Sequence, residues 1–433
     1  MSLSEDPRRL EGKKIFIHAM AYGGARLFAA AFRAVGLDAE VTPPSDATTL
    51  ELGARYTGGD ECFPAKITVG DYMKALLRAG ADPDRTVLMM PGADGPCRFG
   101  QYSVHLRQIL REHGFATTGI LSPSCADGYQ MPSALHRTGW RAVVAADILL
   151  KLLLQHRPYE VEPGSADRLY EQCVEEVAEA IEHAPLAPGP QVQAIRRALI
   201  RCRDRFRRLP VRRDPATALV GVVGEIFCRL NTFSNADLLR KLEQYGAETW
   251  ISDVGEWVWY SNAEQFRNLK LVGRACSLQA LGAWVRSRVQ RRDEHYLLAP
   301  FREDFAGYEE PSIREILDAA RPYLPPEGAI GEMVLNIGKA VCLARRGVDA
   351  IVDISPFTCM NGVVSEAVYP RVSRELGGIP IRNFYFDGTQ TDLDAEVGVF
   401  LELAHSFRLR KSHPRPWPPL WRRSACAAAL GVG

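Results

Sequence analysis

Apolar positions along the chain follow two rhythms. Runs with almost no polar break, Ile15-Phe16-Ile17, Val87-Leu88-Met89-Met90, Leu219-Val220-Gly221-Val222-Val223 and Ala350-Ile351-Val352, read as strands buried on both faces. Between them apolar residues recur every three or four positions. A helix over 66–79 carries Val69, Tyr72, Met73, Leu76 and Leu77 on one face and stops at Gly80. Tyr102, Leu106, Ile109 and Leu110 mark another before Gly114, and Val364, Val368 and Val372 a third. A helix over about 25–35, closed by Gly36, follows the first strand, and Val41 begins a short extended piece. Further strands are expected over 116–122, 249–253 and 379–386, and further helices over 235–244, 261–292 and 392–404. Strands alternating with helices predict an α/β fold with parallel sheets, and ligands of such sheets collect at strand carboxyl ends.

With 433 residues the chain exceeds what one hydrophobic core serves. The pattern divides it into a first α/β lobe over 12–150, a helical connector over 151–215, a second α/β lobe over 216–404 and a basic, Pro/Trp-rich tail over 405–433. Within the helical stretch, the proline-rich piece from Ala184 to Pro190 is the expected linker. The tail, with His413-Pro414-Arg415-Pro416-Trp417, is expected to be mobile.

Composition adds mainly exclusions. Hydrophobic residues at 46% and charged ones at 24% are ordinary for a globular protein, and a net charge of +1 gives no general attraction to nucleic acid or membrane. Residues 1–11 are charged and lack the apolar stretch of a secretory signal, and no run of about 18 apolar residues occurs, so a cytoplasmic protein is expected. In that compartment the ten cysteines are buried hydrophobes, metal ligands or redox groups rather than a disulfide framework.

Three of them stand apart. Cys62 in Gly58-Gly59-Asp60-Glu61-Cys62-Phe63-Pro64, Cys97 in Gly95-Pro96-Cys97-Arg98-Phe99-Gly100 and Cys359 in Pro356-Phe357-Thr358-Cys359-Met360 each lie in a turn-rich loop with a helical pattern directly after it. A thiolate at a helix start meets exposed N–H groups and the positive end of the helix dipole, which lower its pKa and favour an anionic centre. Lys66, Arg98 and Gln101 lie beside these loops. Cys125 and Cys228, also near strand ends, are weaker candidates. Cys173, Cys202, Cys342 and Cys276 fall in or beside helical patterns and are expected to be packed inside, and Cys426 to be free in the tail. His18, ending the first strand, reads as a core histidine. The spacing leaves zinc and iron–sulfur both open, although no Cys-x-x-Cys pair of the kind structural zinc sites use is present. Phosphate-loop, nucleophile-elbow and His-Glu-x-x-His motifs are absent from the sequence.

The phrases Glu61-Cys62-Phe63-Pro64-Ala65-Lys66, Gly95-Pro96-Cys97-Arg98-Phe99-Gly100-Gln101-Tyr102, Gly224-Glu225-Ile226-Phe227 with Asn231-Thr232-Phe233-Ser234-Asn235, Glu256-Trp257 and Pro356-Phe357-Thr358-Cys359-Met360 together resemble the acyl-CoA dehydratase activase-related proteins. The cysteine-bearing module of that family is similar to the 2-hydroxyacyl-CoA dehydratase subunits, and the resemblance spans roughly residues 13 to 404. It implies two or more Rossmann-like lobes with a 4Fe-4S cluster between them, held by Cys62, Cys97 and Cys359. It also implies low-potential electron transfer, driven by ATP hydrolysis in a separate activase of ASKHA type or shared with a homologous subunit. The substrate would be an acyl-CoA, dehydrated through a ketyl radical, or a small molecule that is reduced. Larger relatives carry an ATPase module ahead of this region; here the cysteine module comes first, so a partner ATPase is expected. A non-catalytic cluster-bearing electron carrier or accessory subunit is the alternative.

Overall fold

Two four-stranded, all-parallel sheets organise the chain, with strand orders β2-β1-β3-β4 and β6-β5-β7-β8. The computed structural model describes residues 10–421 apart from 79, 94, 125–130, 330, 390 and 391. In chain order the elements are β1 (Lys14–Ile17), α1 (Tyr22–Ala34), β2 (Asp38–Val41), α2 (Ala47–Tyr56), α3 (Phe63–Leu76), β3 (Thr86–Met89), α4 (Tyr102–Glu112), β4 (Gly119–Leu121), α5 (Ser133–His156), α6 (Ser165–His183) and α7 (Pro188–Phe206). They continue with β5 (Ala218–Gly224), α8 (Ile226–Leu230), α9 (Leu238–Gln244), β6 (Ala247–Ile251), α10 (Val254–Leu271), α11 (Leu278–Leu298), α12 (Ile313–Ala320), α13 (Glu332–Arg345), β7 (Ala350–Pro356), α14 (Met360–Glu375), β8 (Ile381–Phe386) and α15 (Leu393–Arg408). Every residue of β3, β5 and β7 is buried, as their unbroken apolar runs require. The α/β class with parallel, Rossmann-like sheets is therefore as expected.

The chain divides into two compact units, and they interleave in sequence. The first comprises Met1–Asp147, Val174–Leu199 and Val254–Leu297, the second Ile148–Cys173, Ile200–Asp253 and Leu298–Gly433. These units differ in their bounds from the contiguous lobes and separate connector expected from the sequence. Residues 151–215 are shared out, because α5, α6 and α7 each contribute to both units, and α10 and α11 belong with the first. A buried charge shows why. The Arg141 guanidinium on α5 donates to Asp293 on α11 (2.7 Å), to Gln191 on α7 (2.6 Å) and to the Pro188 carbonyl (2.8 Å), all within the first unit. Pro188 itself opens α7, a position where its missing N–H costs nothing, so part of the expected linker is helix.

The two units repeat one plan. In each, the first strand lies between the second and third, so the chain reverses its direction of progress beside β1 and β5, where parallel sheets form their ligand crevices. Each also packs a helix pair ahead of its third strand. A Cβ on Gly70 of α3 would meet the Thr49 carbonyl of α2 at 2.0 Å, and one on Gly338 of α13 the Ile316 carbonyl of α12 at 2.1 Å. Only glycine allows that approach. Both partner helices begin with capping boxes, Asp46 with Thr49 and Ser312 with Glu315. In the first unit Phe16, Tyr72, Met73, Leu88, Leu106 and Ile109 fuse sheet and helices into one core. Each such large side chain contributes about 2 kcal/mol by leaving water.

The described part of the tail, expected to be mobile, is packed against the rest of the second unit. Helix α15 runs on to Arg408, and residues 411–421 pack onto the second unit. Lys411 Nζ lies 2.6 Å from the buried Asp349 carboxylate, Arg415 donates to the Thr217 carbonyl at 2.9 Å and pairs with Glu248, and the Trp421 ring lies 3.8 Å from the Arg213 guanidinium. The cause is charge balance: acids buried at the amino ends of β6 and β7 take their countercharges from this strap. Residues 422–433, with Cys426, lie outside the described residues. Among the described residues no helix is long and apolar enough to cross a membrane.

Candidate functional site

In the first unit the Cys62 and Cys97 loops meet. Cys62 is the N-cap of α3 and Cys97 the N-cap of the short 3-10 turn Arg98–Gln101 that leads into α4. Three contacts tie the Cys62 loop to the Cys97 loop and α4. Arg98 Nη1 donates to the Asp60 carbonyl at 2.6 Å, His105 Nε2 lies 3.1 Å from the Glu61 carboxylate, and the Tyr102 hydroxyl hydrogen-bonds the Cys62 sulfur. Burial alone would raise the Glu61 carboxyl. The N–H groups of Gly58, Glu61 and Gly59, together with His105, instead hold it below its usual range. The entrance to the Cys97 loop is an extension of β3, where Met90 N donates to the Leu121 carbonyl and Gly92 N to the Pro123 carbonyl. Cys97 is exposed and Cys62 half-buried.

In the second unit Cys359 is the N-cap of α14, directly beyond β7, and Thr358 before it takes a left-handed φ of 61°. β3 and β7 are the third strands of their sheets, so Cys97 and Cys359 occupy equivalent places. All three cysteines share one backbone conformation, with φ of −68°, −69° and −67° and extended ψ.

Beside Cys359 lies a pair of acids. Glu225, the N-cap of α8 at the end of β5, accepts from Phe227 N (3.0 Å) and Cys228 N (2.8 Å), and Ile226 N donates to Glu332 at 2.7 Å. Burial raises the Glu225 carboxyl despite those N–H groups and Arg229. The Glu332 carboxyl is pushed up to about 8 by burial and then by the Glu225 charge. The Cys359 thiol behaves against the helix-dipole expectation. Burial, with Glu225 and Glu332, pushes it up to about 12, outweighing the N–H groups of Gly362 and Asn361. Glu332 opens α13, the counterpart of α3, so the second unit sets an acid near the place where the first has Cys62.

The remaining candidates separate. Cys228 is buried in α8 and its side chain hydrogen-bonds Glu225, so it borders the Cys359 region. Cys125 lies outside the described residues. Cys173, Cys202 and Cys342 are buried as expected, whereas Cys276 is exposed: it falls in the turn between α10 and α11, where residues 271–276 are all exposed. Among the described residues no group of three His, Cys, Asp or Glu side chains is gathered closely enough to hold a metal ion. His18 is held by Asp71, Nε2 to Oδ2 3.0 Å, and that fully buried carboxylate also accepts from Ser45 and Thr49 at 2.6 Å. Asp71, two turns into α3, looked in the sequence like an ordinary polar position of an amphipathic helix, and Glu332 opens a helix that the sequence pattern did not mark. No protein-family model matches the chain, and no curated protein matches it.

Proposed function

We propose that the protein is a 4Fe-4S protein related to the 2-hydroxyacyl-CoA dehydratase components, with Cys62, Cys97 and Cys359 as thiolate ligands. It would take part in ATP-driven, low-potential electron transfer to an acyl-CoA or small-molecule substrate, with a separate activase. The observation that carries this reading is the shared placement of the three cysteines: each the N-cap residue of a helical turn with one extended backbone conformation, two of them at equivalent strand ends. Bound there, a cluster would supply one-electron chemistry and an iron corner free of protein thiolate. The chain's own groups would do the rest. Tyr102 hydrogen-bonds the Cys62 sulfur, Arg98 and His105 fix the Cys62 loop against the Cys97 loop, and Glu332 keeps an exchangeable proton near Cys359 at neutral pH.

Anaerobic reconstitution with iron and sulfide, followed by metal analysis, absorption and EPR spectroscopy, tests the reading. About four irons per chain, lost when Cys62, Cys97 or Cys359 is replaced by Ser, is the expected result. Stoichiometric zinc without iron, or iron retained in all three variants, would overturn it. Assay of acyl-CoA dehydration with an activase then separates an enzyme from an electron carrier.

A further inference from the structure

The turn between α10 and α11 breaks the usual rule for apolar side chains. Leu271 is 76% and Leu278 88% exposed, and Leu281, Trp284 (54%) and Val285 carry the exposed row along two turns of α11. Positions 278, 281 and 285 share one helical face, with 284 beside them. The same segment is cationic to a degree that the whole chain is not. Between Gln265 and Arg292 the sequence holds seven Lys or Arg and no Asp or Glu, in a protein whose net charge is +1. Arg288, Arg291 and Arg292 are exposed further along α11, and the Arg288 guanidinium lies 5.8 Å from the Trp284 ring centre.

We infer that this face, from Leu271 to Arg292 in the first unit, docks a partner protein through an acidic amphipathic helix. Charge decides the occupant. A second copy of the chain presenting the same face would set two such cationic segments against each other, a repulsion that apolar contact would have to overcome. A helix lying flat on an anionic membrane needs cations flanking its apolar stripe along the length. On α11 the two are instead segregated end to end, Leu278 to Val285 first and Arg286 to Arg292 after. That order matches a segment whose apolar anchors are followed by carboxylates, with Trp284 as the aromatic anchor. The inference stands on this face alone and does not depend on a cluster.

A dye-labelled synthetic helical peptide with Leu on one face and Glu on the other, titrated against the full-length protein by fluorescence anisotropy, tests it. Saturable binding is expected, weakened by salt and weakened about tenfold or more by Arg288→Glu with Arg292→Glu and by Leu281→Ser with Trp284→Ser. All four side chains are exposed, so the variants should melt as the parent does, and melting curves check this. Absence of binding, equal binding of a peptide with Lys in place of Glu, or binding unchanged in both double variants would overturn the inference. So would tighter binding to phosphatidylserine vesicles than to the peptide, or a homodimer in sedimentation that the same variants dissociate.

Discussion

Glu248, wholly buried in β6, is neutralised by Arg415, a residue 167 positions further along the chain. The Tyr159 hydroxyl donates to the same carboxylate at 2.7 Å, and the Tyr308 hydroxyl accepts from Arg415 at 3.0 Å. Losing one charge of a buried pair strands the other, at a cost of about 3–5 kcal/mol. Arg415→Met should therefore lower the stability of the second unit by that amount in urea denaturation. Arg415→Met combined with Glu248→Gln should recover most of the loss. A single variant as stable as the parent would show that the strap contributes nothing.

Asp293 performs the corresponding service in the first unit. Burial alone would raise its carboxyl, but hydrogen bonds from Arg137 and Arg141 and their charges hold it below the usual range. A depressed carboxyl adds stability above its unfolded pKa, about 3.9, and loses it as pH falls toward the folded value. Asp293→Asn should cost about 3–5 kcal/mol at neutral pH, since Arg141 would stay buried without a countercharge. The gap to the parent should narrow on acidification. Denaturation midpoints across the acid range measure both.

How far the sequence discloses the molecule can be judged from such pairs. β1, β3, β5 and β7 follow from unbroken apolar runs, and α3 and α4 from local periodicity and their glycine stops, because these signals depend on neighbours in the chain. The turn-rich cysteine loops were legible for the same reason, since glycine, proline and cysteine gather within a few residues. Arg141, Asp293, Glu248 and Arg415 were not legible: a charge reads as solvated until its partner, more than a hundred positions away, is known. The interleaving of the units rests on those long-range pairs. Glu332 and Asp71 were hidden likewise, each a polar residue on a helix whose other faces are also covered.

A buried tetrad in the second unit predicts a pH dependence. Glu310 bridges Lys151 (2.8 Å) and the fully buried Lys339, and Lys151 also reaches Asp253 at 3.3 Å. Burial and the Glu310 charge push the Asp253 carboxyl up to about 6 against the two lysines, while those lysines hold Glu310 well below its usual range despite its burial. A carboxyl raised on folding adds stability below its unfolded pKa and loses it as pH rises through the folded value. About two pH units at 1.36 kcal/mol each is about 3 kcal/mol. Relative to the parent, Asp253→Asn should gain about that much between about pH 3 and pH 7, with the change concentrated between about 4 and 6. A constant difference across the range would refute the raised carboxyl. The Glu310 contribution has the opposite sign, present above its unfolded pKa and lost in acid, and Asp253→Asn leaves it in place.

The cysteines give the most direct check on the candidate site. In metal-free protein Cys97 and Cys276 are exposed, while the Cys359 thiol is pushed up to about 12. Only the thiolate alkylates, so near pH 8 Cys359 should react with iodoacetamide on the order of a thousandfold more slowly than an ordinary thiol, and Cys97 and Cys276 should be modified first. Peptide mass spectrometry over a time course reads each site separately. After reconstitution with iron and sulfide, Cys97 should become protected and Cys276 should not, because only the first is a proposed ligand. Protection of both would indicate general closure or aggregation, and protection of neither would remove Cys97 from the ligand set.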